Sequence, residues 1–135
     1  SRRADGAWTI TPPEATWRDL VSVYWWSEQR YSALPGDPST GTTFLYMHAC
    51  RTVSCAGNDL KDLRRGDLIV LSTRTGTLRY TVTSKLRLDK TPRGVGNSRV
   101  LYSYRQPNQL RLVTCGYSPD GTSAFNWAIV AALTG

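Results

Sequence analysis

The sequence predicts a single, mainly β domain, and three observations support this. The chain has 135 residues, 40% of them hydrophobic, which is enough to bury one core. Short runs rich in Val, Thr, Tyr, Leu and Trp are separated by seven prolines and eleven glycines, a pattern typical of strands joined by turns. Few segments keep a helical period. We therefore expect residues 1–135 to form one β domain with short helices.

The N-terminal third predicts a helix and a strand. A short apolar run over residues 7–10 is followed by TPPEATWRDL, where two prolines and a glutamate precede Trp17 and Leu20. This arrangement is typical of the first turn of a helix. The segment VSVYWW, residues 21–26, predicts a strand, and the turn-rich residues 32–42 predict a loop.

The middle of the chain contains the clearest local signal. The segment DLIVLSTRTGTLRYTVTSKLRL predicts a β-hairpin closed around Thr75 and Gly76. Before it, the β-branched and aromatic residues 42–50 predict a strand that places Phe44, Tyr46, His48 and Cys50 on one face. Between these two elements we expect one helical turn capped by Asn58 or Asp59, carrying Leu60 and Leu63.

Three further strands are predicted in the C-terminal third, over residues 99–104, 108–115 and 125–133. The last two are joined by a loop rich in turn-forming residues, which begins directly after Cys115. A residue at the junction of a strand and a loop is held by the sheet and yet can contact a substrate.

The net charge of +7 indicates attraction to polyanions. The basic residues are spread along the chain, acidic residues are mixed among them, and no nucleic-acid-binding motif accompanies them. We therefore expect a solvated basic surface and no nucleic-acid partner. The sequence has no run of about 18 apolar residues, and its first residues do not resemble a signal peptide. We expect any membrane anchor to lie outside this sequence.

Three cysteines and one histidine are the candidates for chemistry. Cys50 and Cys55 are close enough along the chain for a disulfide in an oxidising compartment, which would leave Cys115 as a thiol. Three interpretations stay open. Cys115 and His48 are ordinary buried residues; or all four residues bind zinc, although no Cys-x-x-Cys pair is present; or Cys115 is a nucleophile and His48 its proton-transfer partner.

Four motifs, in this order, resemble the sortase family, the cysteine transpeptidases of Gram-positive cell surfaces. TTFLYMHAC resembles the strand that ends in the family's catalytic histidine, and LKDLRRGDLIVL with TLRYTV resembles the Leu-x-x-Gly-Asp turn and the strands that follow it. LRLVTC resembles the family's Leu-x-Thr-Cys strand, and AIVAAL resembles the closing strand. The resemblance covers residues 42–133 and favours the nucleophile interpretation.

The resemblance implies a closed, mainly antiparallel β-barrel with short helices, and a reaction without cofactor or metal. The Cys115 thiolate would attack the Thr-Gly peptide bond of an LPXTG-like sorting signal in a surface protein and form a thioester. His48 would protonate the leaving amine and deprotonate the incoming one, which belongs to a cell-wall precursor or a pilin. The family implies a location on the extracellular face of the cell membrane.

The sequence departs from the family pattern at two positions. Met47 precedes the histidine where the family has glycine, and no arginine follows Cys115. Asn126 takes the place of the family's arginine, so we predict that Asn126 is catalytic as a hydrogen-bond donor to the oxyanion. Thr114 and Arg111 are the predicted substrate-binding residues; Arg111 shares a strand face with Cys115, although it is equally consistent with an ordinary exposed strand residue.

The missing arginine and the net charge leave a second hypothesis open. The chain would then be a sortase-fold or other β-barrel binding module that has lost catalysis and recognises a peptide or a polyanion.

Overall fold

The computed structural model describes residues 18, 22–25, 33–89, 106–117, 120–122 and 125–134. Within these ranges the fold is mainly β, and none of the helices is both long and apolar enough to cross a membrane. Two short 3₁₀ helices, Pro38–Thr40 and Leu60–Asp62, accompany the strands. The strands are β1 (Val23–Trp25), β2 (Thr42–Met47), β3 (Leu68–Thr73), β4 (Gly76–Asp89), β5 (Gln109–Gly116) and β6 (Phe125–Leu133).

These strands form one six-stranded sheet in the order β1-β2-β5-β6-β4-β3. All neighbouring pairs are antiparallel except β2 and β5, which are parallel. The prediction of a mainly antiparallel sheet is therefore confirmed, whereas the closed barrel is not. The described strands form an open, curled half-barrel, because β1 and β3 lie at opposite edges and do not pair with each other in the described ranges.

The predicted hairpin is present, but its turn lies one residue earlier than expected. Thr73 pairs with Gly76, so Arg74 and Thr75 form the two-residue loop. β4 then continues for 14 residues, with a register shift between Val82 and Ser84. This irregularity changes the face to which alternate side chains point. The apolar side chains before the shift, Tyr80 and Val82, therefore pack on one face of the sheet, and Leu88, after the shift, packs on the other face.

Two predicted boundaries change around the loop after β2. The strand predicted over residues 42–50 ends at Met47, so His48 and Cys50 follow the strand. The predicted helical turn is the 3₁₀ helix Leu60–Asp62; Asp59 is its N-cap residue but makes no side-chain capping bond. The helix predicted in TPPEATWRDL, residues 11–20, and the strand predicted over 99–104 lie outside the described residues, Arg18 excepted.

Apolar side chains pack on both faces of the sheet. The cluster on one face is covered by Leu60 of the second 3₁₀ helix and contains Leu45, Met47, Tyr80, Val82, Leu110, Leu112, Ile129 and Ala131. The cluster on the other face contains Phe44, Tyr46, Leu88, Val113 and Ala128. On β5, Leu110 and Leu112 pack in the first cluster and Val113 in the second, so a slip by one residue would move each side chain to the other cluster.

A glycine permits close packing at the end of β5. Gly116 pairs with Phe125 of β6, and a methyl group at position 116 would overlap the Phe125 ring. On the other side of this ring, the Arg87 guanidinium lies 3.8 Å from its centroid. The Phe125 ring is therefore held between the Gly116 backbone and a cation, directly beside Cys115.

We expect Gly116→Ala to lower the free energy of unfolding by about 1–3 kcal/mol, because the added methyl group must displace the Phe125 ring. The measurement is a double-mutant cycle with Phe125→Ala, followed by urea denaturation. Most of the cost of Gly116→Ala should disappear in the Phe125→Ala background. An equal cost in both backgrounds would contradict this account of the packing.

Candidate active site

The parallel pairing of β2 and β5 brings His48 beside Cys115. Tyr46 pairs with Val113 in this register, and the Thr114 hydroxyl contacts the Met47 carbonyl, so the residues that come next, His48 and Cys115, lie at the same end of the two strands. The carboxyl ends of parallel strands meet at one edge of a sheet, with neighbouring backbones about 5 Å apart. Two residues that are 67 positions apart in the sequence thus become neighbours.

Two hydrogen bonds keep the two chain segments together where the strands end. The Thr114 hydroxyl donates to the Met47 carbonyl at 2.8 Å, and the Tyr117 hydroxyl donates to the Ala49 carbonyl at 2.8 Å. The first acceptor precedes His48 and the second follows it. The backbone on both sides of the histidine therefore accepts hydrogen bonds from the segment that carries Cys115.

Thr114 itself lies on the face of β5 opposite to Cys115. Its side chain is buried, and a Cβ at Gly57 would meet the Thr114 side chain. The hydroxyl is occupied by the Met47 carbonyl. The contacts of Thr114 thus connect the histidine and cysteine segments.

Asn126 lies directly opposite Cys115 on β6. The antiparallel register pairs Cys115 with Asn126, and β4 places Leu88 on the other side of Asn126. Side chains of directly opposed residues lie on the same face, with Cβ atoms about 4.5–5.5 Å apart. Cys115 and Asn126 therefore occupy adjacent positions on β5 and β6, and His48 directly follows the end of the neighbouring strand β2.

Arg111 shares the Cys115 face but not its neighbourhood. The two residues are four positions apart on β5, roughly 13 Å. Arg111 is only 4% exposed, so it is not an ordinary exposed strand residue. Its Nη2 donates to Gln106 Oε1 at 3.0 Å, and its guanidinium lies 5.9 Å from the Phe44 ring centroid. Burial lowers the pKa of the Arg111 guanidinium from its ordinary value.

Cys50 and Cys55 form a disulfide with their Cα atoms 5.6 Å apart, whereas Cys115 is in no disulfide. Asn58 closes this loop, because its Oδ1 accepts from the Cys50 backbone N–H at 2.7 Å and its Nδ2 donates to the Val53 carbonyl at 3.1 Å. The disulfide removes two of the four zinc ligands considered above, because cysteine binds zinc as a thiolate. No metal-binding group of acidic, His and Cys side chains occurs in the described ranges.

A pocket of about 390 Å³ opens beside Cys115. The loop after β2 forms one wall, and the ends of β5 and β6 form the other. The lining residues are Ala49, Cys50, Arg51, Gly57, Asn58, Lys61, Cys115, Gly116, Tyr117 and Trp127. Cys115 is the member of the predicted catalytic set that lines it.

Charges near the pocket entrance act on Tyr117 and on Asp120. Burial raises the pKa of the Tyr117 hydroxyl, the neighbouring Cys115 raises it further, and Arg51 acts in the opposite direction. Tyr117 therefore stays protonated at neutral pH and can donate to Ala49. Hydrogen bonds from the Thr122 backbone N–H and hydroxyl lower the pKa of Asp120, and Arg51 adds to this effect.

A comparison with protein families matches residues 5–134 to the sortase domain. The chain belongs to the sortase family. A search of curated proteins finds no match for this sortase. Among solved structures, it is similar to sortase C1 from Streptococcus agalactiae, with 20% identity, a TM-score of 0.68, and coverage of 90% of this chain and 58% of that chain. Sortase A from Corynebacterium diphtheriae has 19% identity and a TM-score of 0.63, covering 77% of this chain and 45% of that one.

Sortase C-1 from Actinomyces oris also has the same fold, with 17% identity, a TM-score of 0.62, and coverage of 77% of this chain and 55% of that chain. At such identities the likeness concerns the fold. This sortase spans about half the length of the three solved relatives.

Sequence reasoning did not identify the other residues around the pocket of this sortase. Tyr117 lies two residues after Cys115, and Trp127 directly follows Asn126, but neither belongs to a motif. Arg51, Asn58 and Lys61 come from the loop after β2, and its path back to the end of β5 is not evident from the sequence.

We expect thiol titration of the denatured, unreduced protein to find one reactive thiol for each chain, because Cys50 and Cys55 are oxidised. After reduction the number should be three. Cys115→Ala should give none before reduction, which assigns the single thiol. Three thiols in the unreduced wild type would contradict the disulfide.

Proposed function

We propose that this sortase is a cysteine transpeptidase. It cleaves an LPXTG-like sorting signal between threonine and glycine and transfers the threonyl group to an amine of the cell wall or a pilin. The observation that carries this proposal is the register, which pairs Cys115 with Asn126 and aligns β2, whose last residue precedes His48, with the strand that carries Cys115. The family supports a location on the outer face of the cell membrane, where such substrates occur.

In the first half of the reaction, Cys115 is the nucleophile. Its sulfur forms a bond to the threonine carbonyl carbon, and the bond from this carbon to the glycine nitrogen breaks. His48 gives a proton to the departing amine as a general acid. The products are a thioester on Cys115 and a peptide that begins with glycine.

Asn126 has the position from which a donor can reach the developing oxyanion. Its amide lies on β6, directly opposite the nucleophile on β5, and carries two N–H bonds. A donor already in place when the carbonyl oxygen becomes negative stabilises the transition state more than the ground state. One such donor contributes about 3 kcal/mol in other acyl-transfer sites.

In the second half of the reaction, an acceptor amine attacks the thioester. His48 takes the proton from the amine, a carbon–nitrogen bond forms, and the carbon–sulfur bond breaks. The Cys115 sulfur leaves as the thiolate and is ready for another cycle. Transfer dominates over hydrolysis when the amine reaches the thioester before water does.

Asn126 also supports a second candidate function. An asparagine in place of the family's arginine removes a positive charge from the site, as expected of a domain that binds a peptide or a polyanion without cleaving it. Such a module would keep its binding when Cys115 is alkylated, whereas a transpeptidase would lose its activity.

We expect intact-mass measurement to detect a thioester adduct on the wild type after incubation with a library of LPXTG-like peptides. Cys115→Ala should give no adduct, because it lacks the nucleophile. His48→Ala should form the adduct at least about 100-fold more slowly, because proton transfer to the leaving amine is lost. The absence of an adduct from a folded wild type with a titratable Cys115 would favour the binding module.

We expect Asn126→Ala to lower kcat by about 100-fold, the loss typical of an oxyanion donor. Asn126→Asp should be at least as damaging, because a carboxylate of nearly the same shape can only accept hydrogen bonds and adds negative charge. The measurement is steady-state transpeptidation, with the melting temperature as a check of folding. If Asn126→Ala keeps kcat within twofold of the wild type, Asn126 is not the oxyanion donor.

A further inference from the structure

The wall of the pocket beside Cys115 is positively charged and aromatic. Arg51 and Lys61 line it, no acidic residue of the described ranges does, and Trp127 provides an aromatic surface. Lys85 adds a third cation: its Nζ lies 5.3 Å from the centroid of a Trp127 ring and donates to the Lys61 carbonyl at 2.7 Å. The pocket therefore combines positive charge with an apolar platform, next to the reacting sulfur.

The two lysines are available to a ligand. Arg51 has a negative neighbour in Asp120, but neither Lys61 nor Lys85 forms an ion pair within the described ranges. Asn58 also lines the pocket, and its side-chain oxygen and one of its N–H groups form hydrogen bonds with the backbone of the disulfide loop. A negative group entering the pocket would thus meet lysine charges that no carboxylate of the described chain neutralises.

We propose that this pocket binds the acceptor, and that the acceptor is an amine with a carboxylate a few atoms from its nitrogen. The proposal rests on the transpeptidase function above, because the acceptor is its second substrate. A thioester on Cys115 borders the pocket, so an amine held there can approach the carbonyl carbon. A carboxylate near Lys61 would hold the acceptor, while an acceptor with only positive charge would be repelled.

The size of the pocket is consistent with such a ligand. About 390 Å³ accommodates a group as large as an amino acid side chain and backbone. Trp127 pairs with Thr114, on the face of the sheet opposite to Cys115 and Asn126. The acceptor would therefore approach the thioester from the Trp127 side, and the Asn126 side would remain for the oxyanion.

The test compares two acceptors that differ in the carboxylate, glycine and glycinamide, with a fixed sorting peptide. We expect Lys61→Gln to raise KM for glycine roughly two- to fivefold, the range for one partly exposed ion pair. KM for glycinamide and kcat for both acceptors should not change. Because each acceptor is compared between two proteins, the different amine pKa values of the two acceptors cancel.

Arg74→Gln is the matched control, because it also removes one positive charge. Arg74 lies in the turn before β4, whereas the other end of β4 pairs with the part of β6 that lies next to Cys115. This variant should change neither KM. Lys85→Gln should act in the same direction as Lys61→Gln. In 1 M salt, KM of the wild type for glycine should rise towards the value of Lys61→Gln, because salt screens the attraction.

Intact-mass detection of the thioester separates the two possible failures. If the wild type forms the thioester but Lys61→Gln changes KM for both acceptors equally, or for neither, the acceptor inference is wrong and the transpeptidase proposal stands. If no peptide gives a thioester on the wild type, both are wrong. A selective effect on glycine, absent from Arg74→Gln, supports the carboxylate site.

Discussion

The parallel pairing of β2 and β5 is the constraint on which the site depends. Antiparallel neighbours would carry His48 and Cys115 to opposite edges of the sheet, whereas parallel strands bring both carboxyl ends to one edge. A shift by one residue would place His48 beside Thr114 or Gly116. Such a shift is opposed by the burial of both faces of β5, since it would exchange Leu112 with its neighbours across the sheet.

The loop after β2 adds a second constraint on the histidine. The Gly57 backbone N–H donates to the His48 carbonyl at 2.7 Å, and Gly57 itself is packed against Thr114 and Met47. The disulfide closes the loop two residues after the histidine. A backbone hydrogen bond, a covalent link and a tightly packed glycine therefore restrict the same short segment. Precise placement of a general acid requires this kind of support from the residues around it.

The sequence was most informative where local chemistry decides the structure. A nearly continuous apolar run after the turn-rich loop over residues 116–123 predicted β6 with its observed bounds. The hairpin was predicted, but its turn was displaced by one residue, since Gly76 begins β4 and does not lie within the turn. The strand predicted over residues 42–50 ends early because Gly57 takes the His48 carbonyl and Asn58 takes the Cys50 N–H.

The candidate site was predictable only in part, for a physical reason. Cys115 and His48 were singled out among three cysteines and one histidine, whereas Asn126 was found through a resemblance; the register then pairs Asn126 with Cys115. The open sheet and the pocket depend on contacts between residues distant in the sequence, such as the Lys85–Trp127 pair. Arg111 illustrates the same limit. Periodicity gave its face correctly, but only the packing against Phe44 and Gln106 reveals that it is buried.

Arg111 also indicates the desolvation cost that an arginine at position 126, opposite Cys115, would carry. Burial alone lowers the pKa of the Arg111 guanidinium, which shows that this sheet disfavours the charged form. Asn126 is half-buried beside Leu88 and Ala128, both of which belong to the apolar cluster on the same face. A neutral amide can donate hydrogen bonds there without the desolvation cost of a charge. In the reaction we propose, this arrangement would separate two roles that one arginine could combine: Asn126 would supply a neutral donor at the oxyanion, and the lysines around Trp127 would supply positive charge where water can still solvate it.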